Sequence, residues 1–167
     1  MTKITPKEIT TTALLTALVF IATFVPHIPI PLGYAHLGDA VIFILVLLAN
    51  RRTSLIAACI GSALADFLSG FPLWIVPTLI IKAGMVEVVR YTLNTIGKKR
   101  NKFWLTAAFI FSSLWMAIAY TLFGALLSSS LAAGLASLPG LLLEGLLNTI
   151  IAVLLYPIFK FQYSHYC

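Results

Sequence analysis

Acidic residues are scarce in this chain: five Asp and Glu stand among 167 residues, beside 11 Lys and Arg. Charged residues make up 10% of the sequence, where a soluble domain carries about 25%. A water-covered surface cannot be built from so few charges, so lipid has to cover much of the molecule. Cysteine is as sparse. Cys59 lies inside an apolar stretch and Cys167 ends the chain, which excludes a disulfide framework and a paired-cysteine metal site. No HExxH, GxSxG or phosphate-cradling glycine loop occurs. Neither an enzyme, a metal, a cofactor nor an ATP site is expected here. The formal charge of +6 would suit nucleic acid in a soluble protein. These basic residues instead cluster at the ends of apolar stretches, with no aromatic-rich basic groove, so membrane lipid is the expected partner and nucleic acid is not.

What is abundant is hydrophobic sequence, 60% of the chain. A span needs about 20 mostly apolar residues, and helices are the default because open sheets leave backbone groups unsatisfied in lipid. The predicted fold is an all-α integral membrane protein, one domain over 1–167, a compact bundle of six transmembrane helices at roughly 9–25, 37–49, 54–68, 73–91, 103–123 and 140–161. The N-terminal run resembles a signal peptide, but it is long and lacks a small-residue cleavage site, so it reads as the first span.

Lys3, Lys7, Arg51, Arg52, Arg90, Lys98, Lys99, Arg100, Lys102 and Lys160 all fall on one side of that layout, and segments 26–36, 69–72 and 124–139 hold no Lys or Arg. By the positive-inside rule both termini are cytoplasmic; a bacterial plasma membrane is the expected location. Segment 26–36 is stiff, apolar and aromatic, and 124–138 is rich in Ser, Ala, Gly and Leu. Both read as caps folded back over the bundle or as hairpins at headgroup level.

Lys82 is the exception among the basic residues, set within WIVPTLIIKAGMVEVV. A lysine near a bilayer centre costs about 2.5–3.5 kcal/mol on insertion scales, so something must compensate for it. It lies about nine residues, or about 13 Å, below the outer end of its span. Asp39, Asp66, Glu144 and Asn148 occupy the same outer half on three other spans, and Asn148 lies one turn from Glu144 on the same face. Such residues usually face a bundle interior or a wet cavity and pair with one another. The set fits a small outward-opening pocket, with Tyr34 and Trp74 at its mouth and Trp115 and Tyr120 as stacking faces. Structural readings stand beside it: Lys82 paired with Asp66 or Glu144, Asp39 as a helix-start residue, Asp66 in headgroup water, Trp74 in an interfacial belt. Glu87 and Arg90 are expected to form an i,i+3 surface pair, and His27 and His36 lack the partners of a metal site.

On the first span Ala13 and Ala17 form a small-xxx-small pattern that permits close helix approach. Gly61 and Ala65 form another, suited to packing inside the bundle. These features together resemble the substrate-binding S components of energy-coupling factor (ECF) vitamin transporters. The likeness rests on the layout, the AxxxA pattern at Ala13 and Ala17, and the stretches HLGDA at 36–40, GSALADFLSG at 61–70 and PTLIIK at 77–82, which look like the riboflavin-type and hydroxymethylpyrimidine-type branch. The resemblance implies that the chain binds a vitamin from outside under a lid formed by the first and later outer loops, with Tyr34 and His36 closing the pocket. It implies docking through Ala13 and Ala17 onto a transmembrane T component coupled to two ATP-binding subunits. A hydroxymethylpyrimidine or pyridoxine-like ring suits the polar set best. The alternative is a stand-alone ion-coupled carrier using Asp66, Lys82 or Glu144 as a proton relay.

Overall fold

The computed structural model describes residues 5–26, 28–96 and 102–163, the side chains of 96 and 160–163 excepted. Lys3, His27, Lys98, Lys99, Arg100 and Cys167 lie outside the described residues, as does the side chain of Lys160. Six helices and one small hairpin make up the fold: α1 Pro6–Phe24, β1 Ile28–Ile30, β2 Gly33–Ala35, α2 Gly38–Leu48, α3 Arg51–Leu68, α4 Ile75–Ile96, α5 Lys102–Leu127 and α6 Leu131–Tyr163. A 3₁₀ turn, Pro72–Trp74, leads into α4.

Local chemistry sets the boundaries. Thr5 caps α1 by accepting from the Glu8 amide, with Pro6 in the first turn, and Asn50 caps α3 by accepting from the Thr53 amide at 2.8 Å. Helix α3 ends at Ser69, and Gly70 follows with φ of +84°, a left-handed conformation that costs glycine nothing.

The helices close into a ring in the order α1, α3, α4, α5, α6, α2, with each neighbouring pair in contact and the last returning to the first. Helix α2 is the innermost: eight of its 11 residues are buried. Four helical segments are long and apolar enough to cross a membrane, at Pro6–Phe24, Pro72–Thr95, Lys102–Leu127 and Leu131–Phe159. Helix α2 is not one of them, since 11 residues reach only about 16 Å against a hydrocarbon core of about 30 Å. Helix α3 carries Arg51, Arg52 and Asp66. A short link at Ala49 and Asn50 joins the two. Residues 124–139, expected as an outer loop, are almost entirely helical: only 128–130 break the chain between α5 and α6. Small residues there serve close packing. A Cβ on Gly134 would lie 2.6 Å from the Thr121 carbonyl, and one on Gly140 would lie 3.0 Å from Ile30.

Val19, Ile42, Phe43, Ile81, Met85, Phe109 and Met116 fill the centre, where Phe43 and Phe109 stack with centroids 4.6 Å apart. Outward, Leu14, Leu73, Val76, Leu126 and Leu154 are among many exposed large apolar side chains, the surface a bilayer would cover. Gly61 seats α3 on α1; a Cβ there would lie 2.8 Å from the Thr16 carbonyl. Ala65 is buried, so this second small-residue pair packs the interior.

At the end opposite the hairpin, Glu87 pairs with Arg51 at 2.7 Å, not with Arg90 as the spacing predicts. Arg90 turns instead to the Ala49 carbonyl and to Ser54 Oγ, at 2.8 and 3.1 Å. Arg90 thereby satisfies an orphan carbonyl at the C-terminus of α2, where a cation is favoured.

Candidate functional site

Between α1 and α2 the chain makes an antiparallel hairpin, Ile28 opposite Ala35 and Ile30 opposite Gly33. Its turn residues are Pro31 and Leu32, and Leu32 takes φ of +64°. A bulky residue pays about 1–2 kcal/mol for that conformation, so packing must hold it there. Leu32 does pack closely on Gly124 of α5, and Ile30 packs on Gly140 of α6. The hairpin is thereby laid across the end of the bundle.

Polar clasps fix its second strand. Tyr34 Oη donates to Asp66 Oδ1 at 2.8 Å, and its ring lies against Phe71 and His36. Burial, and then the Asp66 carboxylate, push the Tyr34 hydroxyl far above its ordinary pKa. The other Asp66 oxygen accepts from Thr78 Oγ1, which is 3.0 Å from Tyr120 Oη. The His36 amide donates to Glu144 Oε1, and His36 Nδ1 stands 3.1 Å from the same oxygen. Helix α2 starts without a capping side chain of its own. Asn148 of α6 supplies what is missing: its Oδ1 accepts from the Ala40 amide at 2.9 Å, while its Nδ2 donates to the His36 carbonyl at 2.8 Å.

Beneath the hairpin these groups line a half-open cavity of about 50 Å³. Of the residues singled out from sequence, Tyr34, His36, Asp66, Trp74, Tyr120 and Glu144 line it. Trp74 and Tyr120 form an aromatic corner, centroids 5.6 Å apart and planes at 50°. Asp39, Lys82, Trp115 and Asn148 are not among its lining residues. Lys82 Nζ donates to Asp39 Oδ1 at 2.5 Å, both side chains almost wholly buried, and sits 5.4 Å from the centre of the Tyr120 ring. The ion-pair partner is thus Asp39 of α2, neither Asp66 nor Glu144. Trp115 points away to the outer α4–α5 seam, where its indole packs against Gly84 and donates to the Ile81 carbonyl at 3.1 Å. Sequence reasoning passed over Phe71, Thr78, Ser137 and Leu141, which also line the cavity. Thr78 had a usable signal: it lies one turn from Lys82 on the same face of α4.

Comparison with known proteins decides the family. Residues 3–160 match the family model described as "ECF-type riboflavin transporter, S component". The chain belongs to that family. It is accordingly a substrate-binding transport subunit rather than an enzyme, and an integral membrane protein. The fold agrees with a solved structure titled "Structure and mechanism of the S component of a bacterial ECF transporter", with a TM-score of 0.73 over 92% of this chain and 95% of that one, at 19% identity. A further relative, an "Uncharacterized protein in gap 3'region" of Pyrococcus woesei, is 39% identical over 66 residues, 38% of this chain. The matched segment spans 44% of that protein's length.

A second concavity lies on the flank between α1 and α3. Glu8, Thr12, Ala13, Thr16, Ala17 and Arg52 contribute to it, with Ile56, Ile60 and Leu64 on the α3 side. Ala13 and Ala17 are both exposed on it. Among the described residues no cluster of His, Cys, Asp and Glu has the arrangement of a metal site.

Proposed function

We propose that this chain captures a small planar vitamin or vitamin precursor in the cavity beneath the hairpin and hands it on within an ECF-type importer. The carrying observation is the cavity's lining: in a chain of the S-component family, convergent carboxylates, hydroxyls and an aromatic corner lie under one clasped hairpin. Carboxylates and hydroxyls accept from ring amines and hydroxyls, and the Trp74–Tyr120 corner offers a stacking face.

The cavity favours a single-ring ligand such as hydroxymethylpyrimidine or a pyridoxine-like vitamer. At about 50 Å³ it is far below the roughly 300–1,000 Å³ of pockets for larger ligands. Riboflavin is the second reading, favoured by the family's description, and it requires the hairpin to lift. Tyr34, His36, Asp66, Trp74, Tyr120 and Glu144 are assigned to direct contact. Asp39, Lys82 and Asn148 are assigned to hold the floor and the base of the hairpin.

The hairpin end faces outward in this scheme. Lys7, Arg51, Arg52, Arg90 and Lys102 gather at the other end, a pattern that supports a cytoplasmic face there, cytoplasmic termini and a location in the cell membrane. Ala13 and Ala17 offer the T component a close approach along the α1–α3 groove, and two ATP-binding subunits supply the energy. Reconstitution in liposomes tests the whole scheme. Uptake is expected only with the T component, both ATPases and ATP. Uptake by this chain alone, driven by a proton gradient, would instead establish the stand-alone carrier.

A further inference from the structure

Ligand charge is legible in the cavity wall. Its lining residues include two carboxylates, Asp66 and Glu144, and no lysine or arginine. Among the described residues His36 is the one basic side chain there, and its Nδ1 already faces Glu144. Lys82, the nearby buried cation, points its Nζ at Asp39 and lies outside the lining. Backbone donors leading into α2 are engaged as well. The His36 amide is given to Glu144, the Gly38 amide to His36 Nδ1 and the Ala40 amide to Asn148. The N-terminus of α2, which could otherwise attract an anion, carries Asp39 in its first turn.

We infer that the cavity admits neutral or cationic rings and excludes forms of the same rings that carry a phosphate or carboxylate. An entering anion would meet Asp66 and Glu144 in a wall whose described residues include no lysine or arginine to answer it. A ring bearing amine or hydroxyl donors would satisfy acceptors that are already in place. Specificity here comes from what the wall repels as much as from what it binds. In the cell such a site would take the free vitamin and leave its phosphorylated, metabolically retained form. The inference rests on the cavity being the ligand site, and the test separates the two claims.

Equilibrium binding to the purified full-length protein would be measured for matched probes. These are hydroxymethylpyrimidine and its phosphate, riboflavin and its 5′-phosphate, and, to hold size constant, the 5-carboxamide and 5-carboxylate of the same aminopyrimidine. Whichever neutral ring binds, its anionic partner is expected to bind at least about 100-fold more weakly, as like-charge juxtaposition requires. Glu144→Gln should weaken binding of the neutral ring, which loses a strong acceptor, yet shrink that ratio at least about tenfold. A carboxylate that binds within about threefold of its carboxamide overturns the charge rule and leaves the ligand site standing. An unchanged ratio in a Glu144→Gln protein that still binds the neutral ring overturns it too. Failure of every neutral ring to bind overturns the ligand site, and the charge rule with it.

Discussion

Lys82→Met removes the cation of the Asp39–Lys82 pair and keeps most of the side chain's volume. The contact is direct, at 2.5 Å, with the two side chains 1% and 0% exposed. The second Asp39 oxygen has no hydrogen-bond partner among the described residues. Without Lys82 the carboxylate would be left buried and unanswered between α2 and α4. Breaking one side of a buried pair costs about 3–5 kcal/mol, and loss of the approach to the Tyr120 ring adds about 0.5–2 kcal/mol. Asp39→Asn alone should destabilise in the same direction. The double variant, neutral and nearly isosteric, should return to within about 2 kcal/mol of the native protein, because neutral replacement of a buried pair is often tolerated. Reversible unfolding in mixed micelles reads all four proteins, and ligand binding is measured on each that folds. The double variant should still bind ligand, because neither residue lines the cavity. A double variant as unstable as the singles would refute the pairing. A Lys82→Met protein with native stability and no ligand binding would refute the assignment of Lys82 to the floor.

Three other outcomes are expected. Ala13→Trp or Ala17→Trp should fill the α1–α3 groove and abolish co-purification with the T component while ligand affinity stays within about threefold, since the groove and the cavity share no residue; assembly that survives both substitutions would remove the docking face. Gly61→Val should destabilise by about 1–3 kcal/mol through overpacking against the Thr16 carbonyl and Val19, read by the same micelle titration. For Tyr34 the folded protein holds the phenol neutral where an unfolded chain ionises it. Its contribution is therefore complete below about pH 10 and is lost as pH rises from there toward the folded value. The native protein should show a steeper alkaline loss of stability than Tyr34→Phe, and equal slopes would mean that the clasp does not hold the proton.

Much of this arrangement can be read from the residues. Sorting the basic side chains by span end places Asp66, Tyr120 and Glu144 near one level, and the fold brings them to one cavity. The described part of the stiff segment, 28–35, does fold back over the bundle, as a hairpin. Other features were hidden for physical reasons. Depth along a span does not reveal azimuth, so Lys82 seemed equally able to meet Asp66 or Glu144. The short, buried α2 carries Asp39 to it instead. Trp115 has the right depth and the wrong face. The Ser, Ala and Gly of 124–139 look like a connector because small residues are common in loops. In a lipid-covered bundle the same residues allow α5, α6 and the hairpin to approach closely, and the segment is helical. Ser137 of the cavity was lost with that reading.

Locating the bound ligand tests the central claim most directly. The experiment is structure determination of the protein saturated with whichever neutral ring binds it. The account predicts one planar molecule beneath the hairpin, stacked at the Trp74–Tyr120 corner and hydrogen-bonded toward Asp66 and Glu144. A ligand seated in the α1–α3 groove, with only water beneath the hairpin, would contradict it.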